Sequence, residues 1–205
     1  MRSVFDFIII PDGKRYNNEI NLNGDKLIVN SSIENFKLIN RKATVLTVPT
    51  AFATPIQEGD KVIVHHNIFR RYYNHKGEEV DSSRTFDDNK YLCQYDQIYL
   101  YKRMVKWNAV GERCFIMPIK NKDDWSLEPE QKNKGIVKIG NKTLESLGIY
   151  EGDLVGFKSN REFEFIVDKQ RLYCMESNDI LVKYEFKGNE EEYNPSWAKS
   201  SWWVN

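Results

Sequence analysis

One five-residue pattern occurs twice in this chain and limits what the chain can fold into. Glu58-Gly59-Asp60-Lys61-Val62 returns as Glu151-Gly152-Asp153-Leu154-Val155. Glycine adopts backbone angles that β-branched residues resist, and an aspartate side chain can accept a hydrogen bond from the backbone of its own turn. The pattern therefore predicts a tight turn from which a β-strand starts.

The segments around the two copies also correspond. An apolar, β-rich segment precedes each turn, at residues 44–48 and 135–139, and another apolar strand follows it. Each copy then has a cysteine, a polar turn and a closing strand, within residues 92–100 and 173–181. A repeat this long exceeds a solenoid unit and suits a small β domain. We therefore predict an all-β chain with two tandem domains, residues 1–103 and 104–187, followed by a tail at residues 188–205.

Composition narrows the possible partners and compartments. The 205 residues contain 30 Lys plus Arg and 30 Asp plus Glu. Zero net charge argues against a dedicated nucleic-acid binder. No apolar run approaches the roughly 20 residues that cross a bilayer, and the apolar run at residues 4–10 is too short for a signal peptide. We expect a cytoplasmic protein with neither a nucleic-acid nor a membrane partner.

Each copy contains a long loop after its first strand. In the first copy the loop covers residues 12–41, and loops of this length in compact domains are usually functional or disordered. Its middle contains three consecutive apolar residues, Leu27, Ile28 and Val29. They could form a short core strand, or an exposed apolar hook on a segment, residues 14–40, that is mobile when free. The second loop, residues 120–134, contains Trp125 and Leu127 instead.

Three smaller elements are also predicted from the sequence. Residues 62–69 are predicted to form one strand, in which the adjacent His65 and His66 would face opposite sides. A hairpin tip is predicted at residues 74–78. Residues 143–148 are predicted to form one helical turn before the second Glu-Gly-Asp.

The sequence contains no arrangement of residues that predicts catalysis. It has no His-x-x-x-His, Cys-x-x-Cys, phosphate-binding loop or nucleophile elbow. Cys93, Cys114 and Cys174 lack metal-ligand spacing, so we predict reduced, buried thiols. We therefore predict no catalytic residue, no metal and no cofactor, and a binding or assembly protein rather than an enzyme.

The tail combines acidic and aromatic residues. Glu190, Glu191 and Glu192 are predicted to stay solvated as a spacer before Trp197, Trp202 and Trp203. Each tryptophan offers on the order of 200 Å² to bury, so the tail is predicted to contact protein. It could fold back on its own domain or dock on a partner, and we favour a contact with a neighbouring subunit.

The order of these elements resembles the GroES-like co-chaperonin family. That order is an apolar strand ending in Pro, a long loop, a strand, Glu-Gly-Asp, a strand, a hairpin and a closing strand. The resemblance covers residues 1 to about 187 and is clearest in the second copy. Its landmarks there are residues 135–140, 152–157 and 175–181.

The resemblance implies a fold, a partner and a docking site. Each domain would be a partly open β-barrel, and the chain would form a ring homo-oligomer that caps a GroEL-type chaperonin during ATP-dependent protein folding. Leu27, Ile28 and Val29 would be the chaperonin-binding tripeptide, and residues 70–89 the roof hairpin. Trp125 and Leu127 would be a second contact. The two-domain chain is similar to divergent bacteriophage co-chaperonins, which act in the host cytoplasm.

The sequence also departs from this family. Most members have one domain, the second loop lacks the tripeptide, and the tryptophan-rich tail has no counterpart. A structural or assembly protein, such as a virion component, could use the same barrel without binding a chaperonin. An enzyme or small-ligand binder is a third alternative, because similar folds carry many functions.

Overall fold

The computed structural model describes residues 2–16, 19–22, 25–28, 39–123, 125–185 and 188–199, with residues 19–22 and 25–28 described by their backbone alone. The chain is mostly β and has two main antiparallel sheets. It divides after Lys106 into two units, and each unit contains one of these sheets. Within the described residues, neither sheet closes into a barrel.

The first unit is built on one antiparallel sheet with two separate hairpins. Its strands are β1 (Phe7–Pro11), β2 (Glu19–Leu22), β3 (Asp25–Ile28), β4 (Lys42–Thr47), β5 (Lys61–Val64), β6 (Tyr72–Tyr73), β7 (Glu79–Val80), β8 (Thr85–Asp87), β9 (Lys90–Cys93) and β10 (Ile98–Arg103). Six strands of the sheet lie in the order β10-β5-β4-β1-β9-β8, while β2-β3 and β6-β7 form two-stranded hairpins of their own. The next strand, β11 (Lys106–Ala109), spans the division between the units.

The second unit repeats this sheet. Its elements are β12 (Arg113–Lys120), β13 (Glu130–Ile139), α1 (Lys142–Ser146), β14 (Leu154–Phe157), β15 (Phe163–Val167), β16 (Gln170–Glu176), β17 (Ile180–Lys183) and α2 (Ser196–Lys199). The order β17-β14-β13-β12-β16-β15 matches, position by position, the order of the six strands given for the first unit. The helical turn predicted at residues 143–148 is confirmed by α1.

The correspondence holds at the level of single residues. Ile9 pairs with one residue on each neighbouring strand, and Ile116 does the same in the second unit. The two sets of partners are Val45 and Tyr91 for Ile9, and Val137 and Tyr173 for Ile116. The register also shifts at the same place, between Ile8 and Ile9 and between Phe115 and Ile116. The two units therefore share one pairing scheme.

The two Glu-Gly-Asp turns occupy equivalent positions. Gly59 donates its amide to the Val45 carbonyl at 2.8 Å, and Gly152 donates to the Val137 carbonyl at 2.8 Å. The φ angles are +87° at Gly59 and +96° at Gly152. Side chains are strained in this region of backbone conformation, so the turn requires glycine.

The aspartate of each turn is held in the same way. Asp60 accepts the amide of Gln57 at 2.8 Å, and Asp153 accepts the amide of Tyr150 at 2.7 Å. A cation from the closing strand reaches each carboxylate. These are Arg103 on Asp60 at 3.0 Å and Lys183 on Asp153 at 2.6 Å. The acid thus joins its turn to the last strand of its own sheet.

The register places the cysteines of the two copies one residue apart. Cys93 pairs with Phe7, whereas Cys174 pairs with Phe115, one position further along the strand than the counterpart of Phe7. Cys93 therefore corresponds to Met175. All three cysteines are free and buried, as predicted. Burial, together with nearby Cys174, raises the pKa of the Cys114 thiol to about 12.

The prediction of one strand over residues 62–69 is wrong. Strand β5 ends at Val64, and a 3-10 helix occupies His66–Ile68. The His65 side chain accepts the amide of Asn67 at 3.1 Å and so caps this helix. The chain bends there, and the His65 and His66 rings stack with centroids 4.3 Å apart instead of facing opposite sides.

Candidate docking loops

Both units place a loop at the same point of the sheet. The first loop joins β1 to β4, and the second joins β12 to β13. Because the two sheets share one register, these loops are structural counterparts. They contain the five predicted chaperonin-contact residues, which are Leu27, Ile28, Val29, Trp125 and Leu127.

The first loop is closed at its root by its own residues. Tyr16 and Ile39 form an antiparallel bridge, and both side chains are buried. The Asn40 amide donates to the Arg15 carbonyl at 2.9 Å. The Asn40 side chain donates to the Asp12 carbonyl at 2.7 Å. The ends of the predicted mobile segment, residues 14–40, therefore belong to the folded unit.

The predicted tripeptide lies partly in a hairpin. Leu27 pairs with Ile20 and Ile28 pairs with Glu19, so the backbones of Leu27 and Ile28 form strand β3. This hairpin is separate from the main sheet of the unit. Val29 lies outside the described residues. Two of the three residues thus form a strand, as the core-strand alternative requires, but this strand lies outside the main sheet. Whether the tripeptide binds a chaperonin stays a prediction.

The second loop presents two large apolar side chains to solvent. Trp125 is 94% exposed and Leu127 is fully exposed. The loop is closed by the Asn121 amide, which donates to the Pro129 carbonyl at 3.0 Å, and the Trp125 amide donates to Asp123 Oδ1 at 3.0 Å. Hydrogen bonds thus fix the conformation of a short loop, while its two large apolar side chains do not pack in the core. Exposed apolar groups concentrated in this way mark interaction sites.

The prediction of a solvated acidic spacer is wrong for Glu190 and for the backbone of the run, whereas the side chains of Glu191 and Glu192 stay exposed. The Lys120 amide donates to the Glu191 carbonyl at 2.7 Å, beyond the part of β12 that pairs with β16. Glu190 is only 13% exposed and pairs with Lys122 at 2.8 Å. Glu192 pairs with Lys138 at 2.6 Å. The tail folds here because β12 offers a free backbone edge and the nearby lysines neutralise its charges.

The described part of the tail packs on the second unit. Pro195 and Ala198 are buried, and the guanidinium of Arg171 lies 5.9 Å from the ring of Trp197. This part of the chain therefore folds back on its own domain, which was the alternative to a partner contact. Trp202 and Trp203 lie outside the described residues, and their contact with a neighbouring subunit stays a prediction.

A polar cluster that the sequence did not predict lies beside the second loop. Arg171 is 2.5 Å from Glu130 and 2.6 Å from Glu164, and it also donates to the Tyr173 hydroxyl at 2.5 Å. Although burial opposes it, bonding to Glu164 and Glu130 raises the pKa of Arg171. Burial, with the hydrogen bond to Glu130, raises the pKa of Tyr173. The cluster is a fixed ion pair that anchors the first residue of β13.

The hairpin that was predicted to form the roof element is present. Strands β6 and β7 pair, and the Asn74 amide donates to the Glu78 carbonyl at 2.9 Å. The Gly77 amide donates back to the Asn74 carbonyl at 2.9 Å. The predicted hairpin tip at residues 74–78 is confirmed.

The described part of the chain contains no group of three or more His, Cys, Asp or Glu side chains that could hold a metal ion. None of its helices is long and apolar enough to span a bilayer. Compared with models of known protein families and with curated protein sequences, the chain matches none.

Proposed function

We propose that this protein is a tandem co-chaperonin that caps a GroEL-type chaperonin and assists ATP-dependent protein folding. One observation carries the proposal: two units with one pairing scheme place an apolar-bearing loop at the same point of the sheet. One loop contains Leu27 and Ile28, and the other exposes Trp125 and Leu127. In this proposal each sheet is the wall of a GroES-like, partly open β-barrel, and the chain assembles into a ring.

The physics of such a contact is adequate for reversible capping. Burying apolar surface contributes about 25 cal/mol per Å², so two or three side chains contribute a few kcal/mol per loop. Ordering a loop offsets part of that gain. Several weak contacts on one ring then act together, because each bound loop raises the effective concentration of the next.

A structural or assembly protein is the second candidate. The observation that favours it is the second loop, which bears Trp125 and Leu127 instead of an aliphatic tripeptide and is closed by backbone hydrogen bonds. A preshaped loop loses little entropy on binding and suits a permanent contact. In that function the protein would bind copies of itself or a structural partner without any nucleotide.

Capture by a purified bacterial chaperonin separates the two candidates. The protein is mixed with the chaperonin with and without ATP, and complexes are collected by sizing and quantified. The co-chaperonin proposal requires capture that depends on the nucleotide. Absence of capture under both conditions, with nucleotide-independent self-association of the protein, would support the assembly function instead.

A further inference from the structure

The tail pairs with the end of β12 at the root of the second loop. Its backbone pairs with β12 through two bonds: the Lys120 amide to the Glu191 carbonyl at 2.7 Å, and the Tyr193 amide to the Pro118 carbonyl at 2.8 Å. Between them Ile119 and Glu192 form an antiparallel bridge. The loop begins one residue after Lys120. The last paired residues of β12 therefore lie between β13 on one side and the tail on the other.

Side chains continue this contact into the loop. Lys122 is a loop residue, and its ammonium group lies 2.8 Å from Glu190. The side-chain amide of Gln131, on β13, donates to both Glu190 and the Lys120 carbonyl at 3.2 Å. One carboxylate of the tail thus joins the outgoing and returning ends of the loop.

The first unit closes its corresponding loop differently. There the bridge between Tyr16 and Ile39 and the bonds of Asn40 come from the loop itself. Its other contacts come from within the same unit: Arg15 donates to the Phe69 carbonyl at 2.9 Å and the Arg71 amide donates to the Tyr16 hydroxyl at 2.7 Å. In the second unit, Lys120 and Lys122 are contacted by tail residues. These residues lie 71 and 68 positions further along the chain. Integrity of the second loop's root therefore depends on a segment outside the repeated fold.

We infer that residues 190–193 are a positioning strap that fixes the orientation of the loop bearing Trp125 and Leu127. With the strap in place, the two apolar side chains are presented from a root held on both sides. Without it, the loop root is paired on one side only and the loop samples more orientations. The consequence for partner capture rests on the proposed function, because a loop that must be ordered on binding binds more weakly.

Hydrogen exchange on three chains tests the strap directly. The full chain is compared with a chain ending at Lys199, which keeps the strap, and one ending at Gly188, which lacks it. Only the chain ending at Gly188 is expected to show exchange at least about tenfold faster at the Lys120 amide. We expect the same for the amides of Asn121 and Trp125, whose acceptors lie within the loop.

A charge reversal covers the case in which the shorter chain does not fold. Glu190→Lys opposes Lys122 while leaving the backbone of the strap unchanged, and we expect faster exchange at Asn121 and Trp125. Adding Lys122→Glu should restore protection, which a general loss of stability would not do. Glu185→Lys, at an exposed position before the tail, is the matched control and should leave the loop unchanged.

The outcomes separate the strap from the proposed function. Unchanged exchange at Asn121 and Trp125 in both the Glu190→Lys chain and the folded short chain overturns the strap. If exchange rises as expected but the full chain is never captured by the chaperonin, the strap stands and the proposed function fails. If both hold, Glu190→Lys should weaken ATP-dependent capture by severalfold, and the double variant should recover it.

Discussion

The Nη1 atom of Arg171 lies 2.5 Å from Oε2 of Glu130, and both side chains are largely buried. Glu130 is the first residue of β13, at the end of the second loop, whereas Arg171 lies near the start of β16. Tyr173 donates its hydroxyl to the other oxygen of Glu130. Two strands that are not neighbours in the sheet are thus connected by one ion pair beside the candidate docking loop.

Replacing Arg171 by methionine should destabilise the second unit by about 2–3 kcal/mol. Removing one partner of a buried ion pair leaves the other charge uncompensated, which costs more than the pair contributes. Here Glu130 and Glu164 would both lose their cation. Urea unfolding measures the change.

Arg161→Met is the matched control, because Arg161 is 64% exposed and lies 4.0 Å from Asp179. This variant should change stability by less than about 0.5 kcal/mol. Equal effects of the two variants would contradict the prediction.

Gly59→Ala should destabilise the first unit by about 1–2 kcal/mol through backbone strain. The φ angle is +87°, and a Cβ atom at this position meets nothing within 4 Å, so a steric clash cannot account for a loss. Gly140→Ala is the control, because its φ angle is unstrained and its nearest contact, at 3.8 Å, is ordinary. Urea unfolding should show a clear loss only for Gly59→Ala. An unchanged free energy of unfolding in Gly59→Ala would mean that the turn adopts another backbone conformation in solution.

The repeated turn was the part of the fold most accessible from sequence. Glycine at a positive φ angle and aspartate bonding to its own turn are local requirements, so Gly59 and Gly152 show them without any tertiary information. The hairpin tip at residues 74–78 and helix α1 were predictable for the same reason. Strand register is not local, and the sequence alone therefore did not show that Cys93 corresponds to Met175.

The candidate site was only partly predictable. The sequence singled out Trp125 and Leu127 as unusual loop residues, but the support of that loop comes from Glu190 and Glu191, far along the chain. An acidic run normally stays in water. Here the backbone of the run pairs with β12 and the Glu190 side chain is largely buried. These contacts depend on a free edge of β12 and on nearby lysines, which only the folded structure brings together.

The stability of the first unit should depend on the protonation of His66. Burial, followed by the neighbouring charges of His65, Arg41 and Arg70, lowers the pKa of His66 to about 4 from 6.5. Because the unfolded chain binds the proton more readily, protonation of His66 favours unfolding. The contribution of His66 to the free energy of unfolding is complete above pH 6.5 and is lost as the pH falls from 6.5 toward 4. Since the side chain is only partly buried, solvent screening limits this effect to below about 1 kcal/mol.

Thermal unfolding at pH 7 and pH 4.5 measures this contribution, when the loss of stability on acidification is compared between the native chain and variants. His66→Gln should lose less stability on acidification than the native chain. His75→Gln, in the exposed tip of the β6–β7 hairpin, should follow the native chain. Parallel curves for His66→Gln and the native chain would show that His66 titrates normally.

Ile28→Asp and Trp125→Ser should each reduce ATP-dependent capture by a chaperonin at least about tenfold. Both changes remove apolar surface from a proposed docking loop, and a tenfold loss corresponds to about 1.4 kcal/mol. Because Trp125 is 94% exposed, Trp125→Ser should shift the melting temperature by less than about 1 °C. Met104→Ser is the control, since Met104 is 92% exposed but lies outside both loops. An equal loss with Met104→Ser would indicate nonspecific adhesion.

Ala198→Asp should release the tail from the second unit. Ala198 is fully buried in α2, beside Trp197, and an unpaired carboxylate there would be costly. We expect the unfolding free energy of this unit to fall by about 2 kcal/mol, while Ser196→Asp, at an exposed position of the same helix, should change it by less than about 0.5 kcal/mol. Urea unfolding and sizing are measured on the same samples. Lost stability with an unchanged sizing profile means that the tail packs on its own unit. A shift to smaller particles on sizing without lost stability would instead show that the tail packs on a neighbouring subunit.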